Sequence, residues 1–171
     1  MMKGNLVVCL MLVALAACTA QKNKAKMYIV TGTVTQTAQY CGGANPGQEM
    51  LNELEKPRPL ADKVLWVRSG TTNNLTKPVL KTKSDPYGNF TLILKAGRYC
   101  LIDEEKGKRF VPKGNDDIYE WDNTCLKKNW SSCDQILEVG KLSTSTVTVN
   151  YHKYCEHRLP CVKKFKGPLP Q

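Results

Sequence analysis

The chain has 171 residues, of which 25 are Lys or Arg and 15 are Asp or Glu, so its formal net charge is +10. This length suits one domain with a substantial core and does not require a second. The basic residues are scattered in ones and twos, without a helical stripe or an Arg-rich patch, which argues against a nucleic-acid-binding protein. We expect the excess charge to serve solubility, or attraction to anionic lipid or polysaccharide.

Residues 1–17 have the layout of a signal peptide, because Lys3 precedes an unbroken apolar run from Leu6 that is too short to cross a bilayer. The run ends in Leu-Ala-Ala-Cys, which resembles the lipobox of bacterial lipoproteins. That resemblance implies cleavage before Cys18 and lipidation of Cys18 as the mature N-terminus. Several acyl chains on one residue anchor a protein firmly to a membrane. Residues 18–26 then form the lipidated cysteine and a short, polar, flexible tether.

Two other interpretations of the N-terminus stay open. One is ordinary signal-peptide cleavage near the end of the apolar run. The other is a eukaryotic secretory signal, under which Asn74, Asn89 and Asn129 each begin an N-x-[ST] sequon. Some surface-exported lipoproteins resemble one another in having an acidic run after the lipobox, and this chain has no acidic run there. We therefore expect a protein anchored in the bacterial cell envelope, at the periplasmic face of the outer membrane.

Strand-like segments dominate the rest of the chain, which we expect to form a single domain over residues 27–171. The segment MYIVTGTVT is rich in β-branched and aromatic residues and has no helical period. In NFTLILKAGRYCLID, Phe90, Leu92 and Leu94 alternate, and a turn containing Gly97 separates two strands. DKVLWVRSG, KPVLKTKS and STVTVNYHK are predicted to supply the remaining strands.

Two irregular stretches interrupt these strands. Residues 36–60 contain several Gly and Pro residues, and their middle, GQEMLNELEK, is the one helix candidate, which is short enough to need docking. Residues 104–137 are charged and carry two cysteines, which is typical of a long insertion pinned by a disulfide. Short strands separated by turns, without alternating helices, predict an all-β fold. We expect an antiparallel β-sandwich of about seven strands, transthyretin-like or Ig-like, with one short helix and this insertion.

Six cysteines remain after removal of the signal peptide and lipidation: Cys41, Cys100, Cys125, Cys133, Cys155 and Cys161. In an oxidising compartment an even number predicts three disulfides. Sequence does not choose among the pairings. Cys155 with Cys161 and Cys125 with Cys133 are plausible local loops, and Cys41 could equally join the first loop to the C-terminal segment.

The segment YHKYCEHRLPC sets His152, Cys155, His157 and Cys161 close together near the C-terminus. Thiolate and imidazole both suit a borderline-soft ion such as zinc or copper. A metal site in an oxidising compartment competes with oxidation of its own ligands, so disulfides are the favoured use of these cysteines. Metal binding is kept as the alternative, and no cofactor is expected.

A set of motif positions resembles the carboxypeptidase regulatory-like domain, a transthyretin-like β-sandwich common in envelope proteins of Bacteroidetes-type bacteria. The matching residues are Gly32, Val34, Asp85, Gly88, Phe90, Leu92, Leu94, Gly97 and Tyr99. The resemblance implies a seven-strand sandwich without intrinsic catalysis, used as a structural, interaction or folding-support unit. The loop over residues 36–60, the 104–137 insertion and the six cysteines depart from the family pattern.

The sharpest binding hypothesis is a sugar-stacking platform formed by Trp66, Trp121 and Trp130. Trp66, on a mid-sequence strand, is expected in the core. Trp121 and Trp130 lie in the polar insertion, where an aromatic ring must either pack or contact a ligand. No nucleophile, base or phosphate-binding loop stands in a recognisable arrangement, so we do not expect an enzyme.

The leading functional prediction is a non-catalytic, lipid-anchored envelope protein that acts as a structural, interaction or accessory module. Its expected partners are the membrane, through the lipid, and an envelope protein or glycan, but no nucleic acid. One alternative is a lipoprotein that binds a glycan or peptide through the 104–137 insertion. The other is a metal-binding lipoprotein.

Overall fold

The structure is a computed structural model that describes residues 25–140 and 146–170. The predicted signal peptide, the lipidation of Cys18 and most of the tether lie outside the described residues. The strands are β1 (Met27–Ala38), β2 (Arg58–Pro59), β3 (Val64–Ser69), β4 (Leu80–Lys83), β5 (Asn89–Lys95), β6 (Gly97–Asp103), β7 (Tyr119–Trp121), β8 (Gln135–Val139), β9 (Val147–Lys153) and β10 (Val162–Phe165). The helices are α1 (Gln48–Glu55), α2 (Glu104–Gly107), α3 (Asn123–Ser131) and a 3-10 turn, Glu156–Arg158.

The first sheet is organised around β1, which pairs with three other strands. Residues 27–33 of β1 run antiparallel to β5, and residues 32–38 run parallel to β9. The two-residue strand β2 adds an antiparallel bridge near the end of β1. Because side chains alternate along a strand, Val30 and Val34 point into the core while the threonines of TGTVTQT point outward.

The second sheet has the strand order β4-β3-β6-β8, with every neighbouring pair antiparallel. Its two central strands, β3 and β6, carry the apolar runs VLWV and YCLI. Continuous apolar runs are typical of strands that are buried on one face and partly covered on the other. β7 and β10 form a separate antiparallel ribbon.

One hydrophobic core lies between the first and second sheets, which gives the protein a β-sandwich-like architecture. Its buried residues come from both sheets: Val30, Val34, Leu65, Val67, Phe90, Leu92, Leu94, Tyr99, Leu101, Leu137, Val139 and Val149. The alternation of Phe90, Leu92 and Leu94 in the sequence therefore marks the buried face of β5, as predicted.

The turn before β5 places Gly88 against the first sheet. Its φ angle is +78°, in the left-handed region, and a Cβ there would lie 2.4 Å from the Val34 carbonyl oxygen. Val34 donates its N–H to the Gly88 carbonyl at 2.7 Å, so the turn backbone lies directly on β1. Only glycine meets both demands, since any Cβ would separate these two segments.

The predicted strand count is wrong, because the described residues form ten strands and not about seven. The additional strands include the two-residue β2 and the ribbon of β7 and β10. These segments are too short to show an alternating pattern, and they become strands through pairing with distant partners. The prediction of a wholly antiparallel sandwich also fails at β1 and β9, which are parallel.

The 104–137 insertion is more regular than predicted, and the described residues contain two helices beyond α1. α2 begins after Asp103, whose side chain accepts from the Lys106 N–H, and α3 begins after Asp122. The Asp122 carboxylate accepts from the N–H groups of Thr124 and Cys125. Such N-cap side chains accept hydrogen bonds from the free N–H groups of a first turn, so both helix starts could have been predicted from Asp103 and Asp122.

Three disulfides join Cys41 to Cys155, Cys100 to Cys133 and Cys125 to Cys161. Neither of the two local pairings considered from the sequence forms. The parallel register of β1 and β9 places Ala38 beside Lys153, so the chain just beyond each strand end brings the first pair together. The insertion is pinned by the other two disulfides, at its helix α3 and just before β8.

A network of charged and hydroxyl groups connects the insertion to both sheets, and we call it the Asp134 network. The Asp134 carboxylate accepts from the Lys106 ammonium at 2.7 Å, from the Asp103 backbone N–H at 2.8 Å and from the Tyr151 hydroxyl at 2.9 Å. Lys63 pairs with the Asp103 carboxylate at 3.1 Å and lies over the Tyr151 ring. The network therefore joins β6, α2 and β9 through the Asp134 carboxylate, and it joins Lys63, just before β3, through the Asp103 carboxylate.

Tyr151 gives the network a predictable pH dependence. Burial, together with the negative charge of Asp134, raises the pKa of the Tyr151 phenol above its ordinary value. The unfolded phenol ionises near pH 10, whereas the folded one keeps its proton, so this contribution to stability falls as the pH rises above about 10.

We expect Tyr151→Phe to flatten that alkaline fall in the free energy of unfolding, measured by urea denaturation at several pH values. An ultraviolet titration of tyrosinate gives an independent readout. Before unfolding, the wild-type protein and Tyr151→Phe should show the same number of ionising phenols. If Tyr151→Phe instead shows one ionising phenol fewer than the wild-type protein, then Tyr151 ionises in the folded protein and this prediction is wrong.

Candidate functional site: an aromatic groove in the insertion

The insertion forms an open groove between residues 110–112 and helix α3. Trp130, in the last turn of α3, packs against Phe110 with their ring centroids 6.1 Å apart. The indole N–H of Trp130 donates to the Lys108 carbonyl at 2.9 Å, which fixes the orientation of the ring. The groove has a volume of about 760 Å³, and its other lining residues are Pro112, Asn123, Thr124, Lys127, Lys128 and Ser131.

Several contacts hold the floor of this groove in place. The buried Asn73 side chain donates to the Trp130 carbonyl and to the Lys106 carbonyl, both at 2.8 Å. The Cys125–Cys161 disulfide joins the first turn of α3 to the C-terminal segment. Trp130 is therefore presented by a helix that is fixed at both ends, which lowers the entropy lost when a ligand binds.

The electrostatics of the groove favour an anionic ligand. Lys127 and Lys128 are exposed at its rim, and none of the described lining residues is a carboxylate. Outside the lining, the hydrogen bonds from the Cys125 and Thr124 N–H groups lower the pKa of the Asp122 carboxyl. That carboxylate is directed to the helix N-terminus, where it caps α3.

This arrangement can bind but shows no catalytic grouping in the residues described. Half-buried aromatic rings offer apolar area at a small entropic cost, and they stack on flat ligand faces. Asn123, Thr124 and Ser131 supply hydrogen-bonding side chains beside the rings. The two lysines add charge attraction to carboxylate, sulfate or phosphate groups.

The second tryptophan of the predicted platform lies elsewhere. Trp121 is buried on β7, with its ring centroid 5.2 Å from that of Tyr119 and the Lys113 ammonium 3.8 Å from its centroid. It does not line the groove, so the insertion presents Trp130 and not a tryptophan pair. The expectation that Trp66 lies in the core is wrong, because it alternates with the core residues Leu65 and Val67 and so lies half-buried on the outer face of the second sheet, beneath Gly107 and the Lys81 ammonium.

The four residues of the metal alternative are not assembled into a site. Cys155 is bonded to Cys41 and Cys161 to Cys125, so neither sulfur offers a thiolate. His152 contacts the Thr37 hydroxyl through Nδ1 at 3.0 Å, whereas the His157 ring lies 6.2 Å from the Phe165 ring. The described residues contain no group of three or more His, Cys, Asp or Glu side chains that could hold a metal ion.

Phe110, Lys127 and Lys128 were not singled out from the sequence, although all three lie in the predicted insertion. The sequence did contain one signal for Lys127, which is Asp122 as the N-cap of a helix. In a helix that begins at residue 123, Lys127 and Trp130 are three positions apart and therefore lie side by side on one face. Phe110 had no comparable signal, because its contact with Trp130 depends on the fold of the whole insertion.

The fold and the groove define a disulfide-linked, β-rich protein with a β-sandwich-like core. No family model and no curated protein matches the chain. The crystal structure of the major plantain pollen allergen Pla l 1 is similar to it, with 15% sequence identity, a TM-score of 0.37 and coverage of 79% of this chain and 98% of the allergen. Both proteins are rich in β structure, and at this TM-score the likeness carries no argument about function.

Proposed function

We propose that the protein is a non-catalytic lipoprotein of a bacterial envelope, anchored through Cys18 at the periplasmic face of the outer membrane. The lipobox-like sequence and the three disulfides, which require an oxidising compartment, support this placement. The motif residues around Gly88 and Phe90 support a relation to the carboxypeptidase regulatory-like domain. Like that domain, the protein serves as an interaction or accessory module.

The insertion supplies the binding site of this module, and its ligand is an acidic glycan. The observation that carries this proposal is the half-buried Trp130 ring packed on Phe110 in an open groove. A sugar presents flat apolar ring faces that suit such a floor, and its carboxylates suit Lys127 and Lys128 at the rim. A neutral glycan would leave the two lysines without a role.

Trp130→Ala is expected to weaken binding of polygalacturonate, used as an acidic polysaccharide probe, by about tenfold or more. The loss follows because the substitution removes the stacking surface at the centre of the groove. Binding is measured by isothermal titration with the soluble mature protein, and urea unfolding shows whether the variant is folded. Tyr87→Ala is the matched control, since Tyr87 is an aromatic residue that is 77% exposed on the turn before β5 and does not line the groove.

The double variant Lys127→Ala, Lys128→Ala tests the rim without disturbing the floor. We expect weaker binding and a smaller dependence on salt concentration, because two of the charges that attract the probe are gone. A folded Trp130→Ala variant that binds like the wild-type protein would contradict the groove as the binding site. Failure of the wild-type protein to bind any acidic polysaccharide would leave the structural-module role in its place.

A further inference from the structure

A second cleft lies at the C-terminal end of β1, between helix α1 and the last residues of β9. Its volume is about 690 Å³, within the range of pockets that bind small ligands. It shares no lining residue with the aromatic groove. Nothing in the proposed glycan site depends on it.

Helix α1 forms one wall of the cleft without packing on the core. None of its eight residues is buried, although Leu51 and Leu54 are half-buried and line the cleft. Met50 is 51% exposed and does not line it. Because a helix this short is not stable alone, its apolar face needs something to contact. The leucines therefore offer an apolar wall to a bound molecule.

The opposite wall is pre-formed. His152 and Tyr154 contact each other edge to face, with ring centroids 4.6 Å apart, and Nδ1 of His152 bonds the Thr37 hydroxyl at 3.0 Å. The Cys41–Cys155 disulfide fixes the chain beside both rings. A ligand meets a rigid aromatic wall on one side and an aliphatic helix face on the other.

Three polar groups in the cleft specify what that ligand carries. The side-chain oxygen of Gln39, a lining residue, is buried and has no hydrogen-bond donor among the described residues, so a ligand N–H that displaces the groups covering it would satisfy it. Arg158 suits a carboxylate, which a guanidinium binds through two parallel hydrogen bonds. Glu55, at the end of α1, suits an ammonium group.

We propose that this cleft binds a short peptide with free termini. The peptide carboxylate pairs with Arg158, its α-ammonium with Glu55, and an amide N–H bonds Gln39. An apolar side chain packs between Leu54 and the aromatic wall. The volume accommodates about two to four residues. A peptide fits better than a sugar here, because the cleft offers an aliphatic helix face and no flat indole.

The test uses the tripeptide Ala-Ala-Leu together with its N-acetylated and C-amidated forms, titrated into the isotopically labelled mature protein and followed by NMR. We expect saturable shifts in the cleft residues, with each blocked form binding about tenfold more weakly because one charge-assisted contact is lost. Acetylation should have no further effect in Glu55→Gln, and amidation none in Arg158→Gln, since the partner of the blocked group is then absent.

Matched variants separate the cleft from general effects on the chain. Leu54→Ser should weaken tripeptide binding, while Met50→Ser on the same helix and Arg98→Gln on the distant strand β6 should not. Trp130→Ala should leave tripeptide binding unchanged, so failure of the glycan site is distinguishable from failure of this one. The proposal is overturned if the three forms of the tripeptide bind alike, if none binds saturably, or if muramic acid, a zwitterionic amino sugar, binds more tightly.

Discussion

Replacing both Cys41 and Cys155 with alanine is expected to lower the free energy of unfolding by about 5 kcal/mol. This disulfide joins residues that are 114 positions apart, so it removes more freedom from the unfolded chain than either of the others. It also fixes the ends of β1 and β9, whose parallel pairing extends from Gly32 to Ala38 of β1. Urea denaturation of the oxidised proteins measures the loss.

The control is the double variant Cys125→Ala, Cys161→Ala, which removes a disulfide with a sequence separation of 36. In the chain-entropy account its loss is about 1 kcal/mol smaller, because the closed loop is shorter. Equal losses, or a larger loss in the control, would show that native-state contacts and not loop closure decide these stabilities. The His152 and Tyr154 resonances should shift only in the first variant.

Asp134→Ala is expected to lower the free energy of unfolding by about 3 kcal/mol or more. The Asp134 side chain is 11% exposed and its partner Lys106 is 19% exposed, so solvent screens their attraction only weakly. The substitution leaves the Lys106 ammonium without its carboxylate, and it leaves the Tyr151 hydroxyl and the Asp103 N–H without their acceptor. Chemical denaturation followed by fluorescence gives the value.

Asp134→Asn is the matched control for the shape of the side chain. The asparagine oxygen can still accept from Tyr151 or Asp103, but the ion pair with Lys106 is gone, so we expect a smaller loss than with alanine. Because Lys106, in α2, also donates to Ser132 at the end of α3, Asp134→Ala should also broaden the NMR signals of Trp130. A loss below about 1 kcal/mol would mean that water replaces the missing carboxylate.

The main strands could be predicted from the sequence because their pattern is local. Alternation of apolar residues located β5 and β6 within NFTLILKAGRYCLID, and the β-branched run located β1. The buried face of β5 followed from the same alternation. These features need only the two-residue period of a strand and one turn glycine.

The remaining features are not local, and the sequence could not reveal them. The parallel pairing of β1 with β9 joins segments more than 110 residues apart, and the β7–β10 ribbon joins segments more than 40 residues apart. The disulfide pairing follows from those contacts and not from the spacing of the cysteines. Trp130 could be singled out as an aromatic candidate in the insertion, whereas Phe110 and the cleft beside α1 could not, because both depend on contacts between distant segments.

The order of the disulfides along the chain has a consequence for biosynthesis. None of the three bonds joins two cysteines that are neighbours among the six, since Cys41 pairs beyond Cys100, Cys125 and Cys133. An oxidase that joins cysteines in the order in which they cross a membrane would link Cys41 to Cys100 first. In an exported chain, native pairing would then require thiol–disulfide exchange. For such a chain we therefore expect a disulfide isomerase or a thiol buffer to raise the yield of native protein over oxidation alone.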